Sequence, residues 1–225
     1  MSVRHVLGLE TSGRAAGVCL LTLEGDREAR CESVDLSQTG RRHARTLIPE
    51  LKALLLRHTL RPHDVTAVGV SIGPGSFTGL RVGVACAKTL AWATGCAVFG
   101  IPTLEAVARQ ADRTDVTVLA NAERGQLFVA NFSQGCLGPI EIRDEDRLFA
   151  DLSDQTPLTG PVPAAVRSRH AGHNWLPETV GRPQAETIAR LTSARLIAGS
   201  PDDPYGLLPD YGRPSAAEEQ RAAAG

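Results

Sequence analysis

Three short apolar runs open the chain, and their close spacing limits the folds available to it. "RHVLGLE" (4–10), "AAGVCLLTL" (15–23) and "EARCESVDL" (28–36) are each of strand length and are separated by a few Gly-, Ser- and Asp-containing residues. Strands joined this tightly pair antiparallel, because a parallel connection needs a crossover of a dozen or more residues. A helix follows in "RRHARTLIPELKALLLRHTL" (41–60), where Leu47, Leu51, Leu54 and Leu55 recur at three- and four-residue spacing with Ile48 beside them. Pro49 has no backbone donor and is tolerated in a first turn, so the helix is predicted to begin near Thr46. A strand at 65–72, a small-residue helix at 76–93, a strand at 97–101 and a helix at 103–111 complete the order βββαβαβα. A meander followed by β-α-β crossovers gives a mixed sheet with helices packed on it, an α/β fold.

The second half repeats this opening in weaker form. "DVTVLANAERGQLFVANFS" (115–133) reads as a strand, a turn at "AERG" and a second strand, and "GPIEIRDEDRLF" (138–149) is expected to add a third. "DLSDQTPLTGPVPAAV" is Pro-rich and turn-like, "QAETIARLTSARLIAG" (184–199) is an amphipathic helix, and the tail from Ser200 reads as irregular and partly disordered. Two lobes are therefore expected, residues 1–110 and a smaller one at 111–225.

Composition narrows the function classes. A chain of 225 residues buries a core without disulfide or metal staples. Its five cysteines are odd in number and form no C-x-x-C pair, so neither disulfides nor zinc are expected. A net charge of −1 gives no reason to expect strong independent nucleic-acid binding. No apolar run is long enough for a membrane span, and "MSVRHVLGLETSG" enters a strand pattern without a signal peptide's apolar region. A cytoplasmic location is expected.

The densest run of small residues is "GVSIGPGSFTGLRVGVACAKTLAWATG" (69–95). Gly69-Val70-Ser71-Ile72-Gly73 matches G-x-S-x-G, but an elbow needs its helix immediately after the serine, and Pro74 and Gly75 extend the loop. His170 and His173 are the downstream histidines available to such a nucleophile. "GPGSFTGLR" lacks the Lys-Ser/Thr of a phosphate loop. A glycine loop at a helix N-terminus can still bind an anion through free N–H groups, and a tight turn for close packing explains it equally well. Gly75, Gly79, Gly83, Ala87, Ala91 and Gly95 recur every four residues, so part of this row is expected to pack on the sheet and part to be left for another molecule. The histidines of "HAGH" (170–173) have no neighbouring carboxylate in sequence, and no metal site is expected.

Taken together, "VLGLETSG" (6–13), "RRHARTLIPEL" (41–51), "SIGPGSFTGLRVG" (71–83), "GIPTLEAVA" (100–108), "NAERGQLFVANF" (121–132) and a looser "PDYGR" (209–213) resemble the TsaB (YeaZ) family. The resemblance implies the two-lobed actin/Hsp70/sugar-kinase-like ATPase (RNase H-like) fold, each lobe a mixed sheet with flanking helices. It implies a part in forming threonylcarbamoyladenosine next to the anticodon of tRNA. It further implies a catalytically degenerate paralogue of the TsaD-type transferase, which forms a heterodimer with it, is joined by a TsaE-type ATPase, and so meets tRNA only indirectly. The TsaD type holds its metal with H-x-x-x-H, and the matching positions here are Thr103 and Val107, neither of which replaces imidazole.

From the resemblance, an interface is expected at His43, Leu47, Leu51, Gly75, Gly79, Arg81, Gly83 and Ala87, which in the isolated chain would serve a homodimer. No catalytic residue and no metal are expected. Thr11, Ser12, Gly73 and Gly75 are the positions for vestigial nucleotide binding, with ATP bound only weakly or in the assembled complex. The competing reading is an enzyme of the same fold that binds or hydrolyses ATP, or a glycoprotease-like or serine hydrolase.

Overall fold

The computed structural model describes residues 2–13, 16–36 and 43–213, with the side chains of residues 43–45 outside that description. β1 (Val3–Glu10), β2 (Gly17–Glu24) and β3 (Arg27–Asp35) form the expected antiparallel meander, with Val6 opposite Leu21 and Val18 opposite Val34. α1 (His43–Arg57) leads to β4 (Ala67–Gly73), parallel to β1. α2 (Phe77–Thr94) crosses to β5 (Ala97–Pro102), parallel to β4, and α3 (Thr103–Gln110) leaves the sheet. The strand order is β3-β2-β1-β4-β5, so β1 is central and β5 is an edge.

The second sheet contains β6 (Asp115–Asn121), β7 (Gln126–Ser133), β8 (Cys136–Leu137), β9 (Glu141–Asp144) and β10 (Leu158–Thr159). Its order is β10-β6-β7-β8, with β9 also paired to β7. Short helices α4 (Glu145–Asp151), α5 (Ala164–Arg169) and α6 (Glu178–Gly181) surround it, and α7 (Ala185–Ala198) follows. The chain is thus α/β with two mixed sheets and flanking helices, as expected.

The runs of β1, β2 and β4 are apolar on both faces because helices cover both. On one face Leu7, Leu9, Val18, Leu20, Val68 and Val70 pack with Leu47, Leu51 and Leu54 of α1 and Val84 and Ala87 of α2. On the other, Val6, Cys19, Leu21, Ala67 and Phe99 meet Ala185, Ile188 and Ala189 of α7. The thiols of Cys19 and Cys31 lie 3.4 Å apart on this face, both free, and burial pushes both up from the usual thiol range.

Four sequence expectations change. α1 begins at His43, so Pro49 sits inside the helix rather than in its first turn. The third strand expected at 138–149 divides: Asp144 ends β9 and its carboxylate accepts the Arg147 N–H at 3.2 Å, which starts α4. The boundary at residue 110 marks the crossing to the second sheet, but the chain returns, because α7 packs on β1, β2, β4 and β5 of the first. The tail is ordered to Arg213 by specific contacts; residues 214–225 lie outside the described part.

α7 sits close to the sheet because Gly8 and Gly69 carry no side chains. A methyl on Gly8 would overlap the Ala185 carbonyl oxygen and come 2.6 Å from the Ala189 nitrogen, and one on Gly69 would overlap Thr192. Gly8→Val is therefore expected to lower stability by at least about 2 kcal/mol. Gly13→Ala, at a position facing open space, is expected to be nearly neutral. Denaturant unfolding of the two variants measures the difference.

Candidate functional site

The first lobe concentrates its polar burial where β1 and β4 end. Glu10, the last residue of β1, is fully buried. Its Oε1 accepts both the Ser12 N–H and the Ser12 hydroxyl at 2.5 Å, while Oε2 has no partner. Burial pushes its carboxyl up to about 7, opposed by the Ser12 hydrogen bonds and by Ser71. The Thr11 N–H donates to Ser71 Oγ at 3.2 Å, and Thr11 Oγ1 is buried without a partner.

This arrangement removes the serine-nucleophile reading. Ser71 is fully buried and serves as an acceptor for the β1 turn. His170 and His173 belong to the second lobe, where His170 Nε2 lies 3.0 Å from Glu145 Oε1 and its ring stacks on Phe149 at 3.6 Å. Glu145 also accepts from Arg169 at 2.6 Å, so His170, without a carboxylate neighbour in sequence, acquires Glu145 through the fold, while His173 Nδ1 lies 3.4 Å from Asp154 Oδ1.

The glycine loop lies directly against the Thr11–Ser12 turn. The Ser76 N–H donates to the Ser12 carbonyl at 2.7 Å, and Ser76 Oγ accepts the Gly79 N–H at 3.3 Å, capping α2. A Cβ on Gly75 would fall 2.5 Å from the Ser12 carbonyl oxygen. One on Gly79 would overlap the Thr11 carbonyl, and one on Gly83 the Thr11 hydroxyl. The small-residue row expected to be left partly for another molecule is therefore used by the chain's own β1 turn. Ala87 and Ala91 carry the row on into the core.

The expected interface set separates accordingly. Leu47 and Leu51 are core residues of α1, and Gly83 and Ala87 are buried under α2, so none of the four presents a surface. Gly75 and Gly79 back onto the turn. Arg81 is exposed, with its guanidinium 3.9 Å over the Phe77 ring. The His43 side chain lies outside the described residues. Sequence reasoning missed the exposed apolar residues of this region: Phe77, Trp92 at 74% exposure, and Ile48 and Leu56 of α1. In the helical pattern Leu56 and Trp92 fall off the buried stripe, which is the signal that could have found them.

Thr11, Ser12, Gly73 and Gly75, the positions expected for vestigial nucleotide binding, lie at this junction. The Ser76 N–H is taken by the Ser12 carbonyl and the Gly79 N–H by Ser76 Oγ, Gly73 backs onto the Asp210 carbonyl, and the Glu10 carboxyl bonds the Ser12 N–H within the turn. The two loops therefore pack closely on one another at this junction. Thr103 and Val107 are fully buried, and no group of three metal-ligating side chains occurs among the described residues.

Glu10 gives the junction a pH signature. The carboxyl holds its proton more tightly folded, near 7, than at its ordinary 4.5. Its contribution to stability is greatest below pH 4.5, falls as pH rises to 7 and is level above. The full loss is about 3 kcal/mol. Glu10→Gln keeps an acceptor for Ser12 and removes the titration, so its melting temperature should gain on the parent's between pH 5 and pH 8. An offset that stays constant across that range would assign Glu10 an ordinary carboxyl.

Comparison with known proteins adds to this geometry. The family described as TsaD, tRNA N6-adenosine threonylcarbamoyltransferase, matches residues 34–136. The chain is 26% identical to the tRNA threonylcarbamoyladenosine biosynthesis protein TsaB of Bacillus subtilis, over 95% of its own length and 96% of the relative's. It is 28% identical to the Escherichia coli protein of the same name, over 58% of its own length and 55% of the relative's. The structure of YeaZ from Pseudomonas aeruginosa superposes with a TM-score of 0.74 at 23% identity, covering 94% of this chain and all of that one, which establishes a common fold. No helix among the described residues is long and apolar enough to cross a membrane. The chain is thus similar nearly end to end to a protein of that name and shares the YeaZ fold.

Proposed function

We propose that this chain serves tRNA threonylcarbamoyladenosine formation as a non-catalytic subunit that activates a TsaD-type transferase by docking on it. The observation that carries the reading is the full burial of Thr103 and Val107 where the TsaD type places its metal-holding histidines. A threonine and a valine in the core offer no imidazole and no access for a metal ion. Activity of the complex then rests with the partner, and this chain contributes surface and shape.

The surface argued for is the outward face of α1 and α2. α2 is seated by its glycine face on the β1 turn, so its opposite face, with Phe77, Arg81 and Trp92, points outward, and Ile48 and Leu56 are exposed on α1. Exposed aromatic, aliphatic and arginine side chains together are the composition of interface hot spots. The TsaE-type ATPase joins the assembled pair, contact with tRNA runs through the complex, and the same face supports a homodimer when the chain is alone. In a cell these steps belong to the cytoplasm, where tRNA is modified.

A second reading has one observation in its favour: Glu10 Oε2 and Thr11 Oγ1 are buried without partners at the turn where related ATPases contact phosphate. If the isolated chain turns over ATP and Thr11→Val abolishes the turnover, that reading replaces the first.

The leading reading is checked by co-elution with the cognate TsaD and by threonylcarbamoyladenosine yield in a reconstituted reaction. Arg81→Glu is expected to weaken the complex roughly tenfold or more while leaving the monomer folded. Gly83→Leu is expected to lose stability instead, since its side chain meets Thr11. Absence of both co-elution and yield enhancement by the parent chain would sink the proposal.

A further inference from the structure

The segment after α7 runs from the first lobe to the second and is held at each end. Near its start the Asp202 N–H donates to the Val98 carbonyl at 2.9 Å, and Asp202 Oδ2 accepts the Gly100 N–H at 2.7 Å, which covers the free edge of β5. Lys88 Nζ donates to the carbonyls of Tyr205 and Leu207 at 3.2 and 3.0 Å, tying the segment to α2. Leu207 is buried in the first-lobe core.

Beyond Leu208 the chain passes the end of β4 and crosses. The Asp210 N–H donates to the Ile72 carbonyl at 2.7 Å, and its own carbonyl lies against Gly73. Tyr211 stacks on Phe77 with ring centres 4.6 Å apart, and its hydroxyl accepts from Arg81 Nε at 2.8 Å. From the next residue on, the partners belong to the second lobe. Gly212 lies against the Phe128 ring, where a methyl would come within 2.5 Å, and Arg213 Nη2 donates to Gln126 Oε1 at 2.9 Å.

We propose that residues 209–213 are a clasp between the lobes: Asp210 and Tyr211 grip the glycine loop and α2, Gly212 and Arg213 grip the start of β7, and release of the clasp loosens the two lobes against each other. The contacts suit a releasable device. Tyr211 and Arg81 meet at an exposed position, and Leu208 next to the clasp is 68% exposed, so the segment from 208 onward contributes little apolar burial of its own. Its hold comes from a few hydrogen bonds and one aromatic–arginine contact, each individually weak in net terms. Segments with this profile open locally before the fold does. Opening also uncovers the Gly73–Gly75 loop and frees Arg81 and Phe77.

Hydrogen exchange of the full chain, read by mass spectrometry, tests the clasp. In Tyr211→Ala/Arg213→Ala, amides around Ile72–Gly73 and Gln126–Phe128 are expected to exchange at least about tenfold faster, while peptides of α1, β2 and α7 keep the parent's rates. Tyr211→Phe keeps the ring on Phe77 and loses only the hydroxyl acceptor, so it should fall between the parent and the double variant. Unchanged exchange at both sites would overturn the clasp. So would faster exchange spread evenly over the whole chain, because that would make the segment an ordinary part of the global fold.

Discussion

The structure depends on the contact between the start of α2 and the turn that ends β1. Gly75, Gly79 and Gly83 let the helix come down until its backbone meets the carbonyls of Thr11 and Ser12 and the Thr11 hydroxyl. Glycine inside a helix costs about 1 kcal/mol relative to alanine, and Gly79 and Gly83 incur it here. The gain is a short-range seat that fixes where α2 lies on the sheet. α2 crosses from β4 to β5, so that seat also fixes the crossover between two parallel strands, and Val84 and Ala87 then meet Leu47 and Leu54 of α1 in one core.

A seat this tight seals the polar groups beneath it. Glu10 is bonded through one oxygen to the Ser12 backbone and hydroxyl and leaves the other without a partner, and Thr11 Oγ1 is in the same position. Buried carboxyls without full satisfaction shift toward the neutral form, so the turn is held by hydrogen bonds rather than by a charge facing a ligand. The same contacts hold the turn and the glycine loop against each other. What remains available for recognition is the opposite side of α2, whose orientation the seat decides.

Much of this was legible in the sequence, and the exceptions have physical causes. The meander was legible because β1 and β2 are apolar on both faces and the connections are too short for anything but hairpins. α2 and α7 were legible from small-residue and apolar spacing. Four-residue spacing of Gly75, Gly79 and Gly83 reports that something approaches closely, but the approaching body is a turn more than sixty residues earlier in the chain, which spacing alone does not carry. The helix at Glu145 escaped notice because Ile140 and Ile142 continue the strand pattern up to it, and only the Asp144 cap marks the change. α5 and α6 are too short to show a period. The position of Pro49 inside α1 shows tertiary burial of Leu47, Leu51 and Leu54 outweighing one lost helical hydrogen bond.

The β1 turn and the segment around Tyr211, far apart in sequence, both rest on α2. The β1 turn holds the inner face of the helix through backbone contact, and the segment around Tyr211 holds its outer edge through Phe77 and Arg81. α7, which follows the second sheet in sequence, packs on the first, so a first lobe ending at residue 110 lacks the helix that covers one of its faces. The first lobe's core therefore cannot be separated from the second lobe by cutting at residue 110, and a change at the inner face of α2 is transmitted as a loss of fold, whereas one at its outer face acts on what the helix touches.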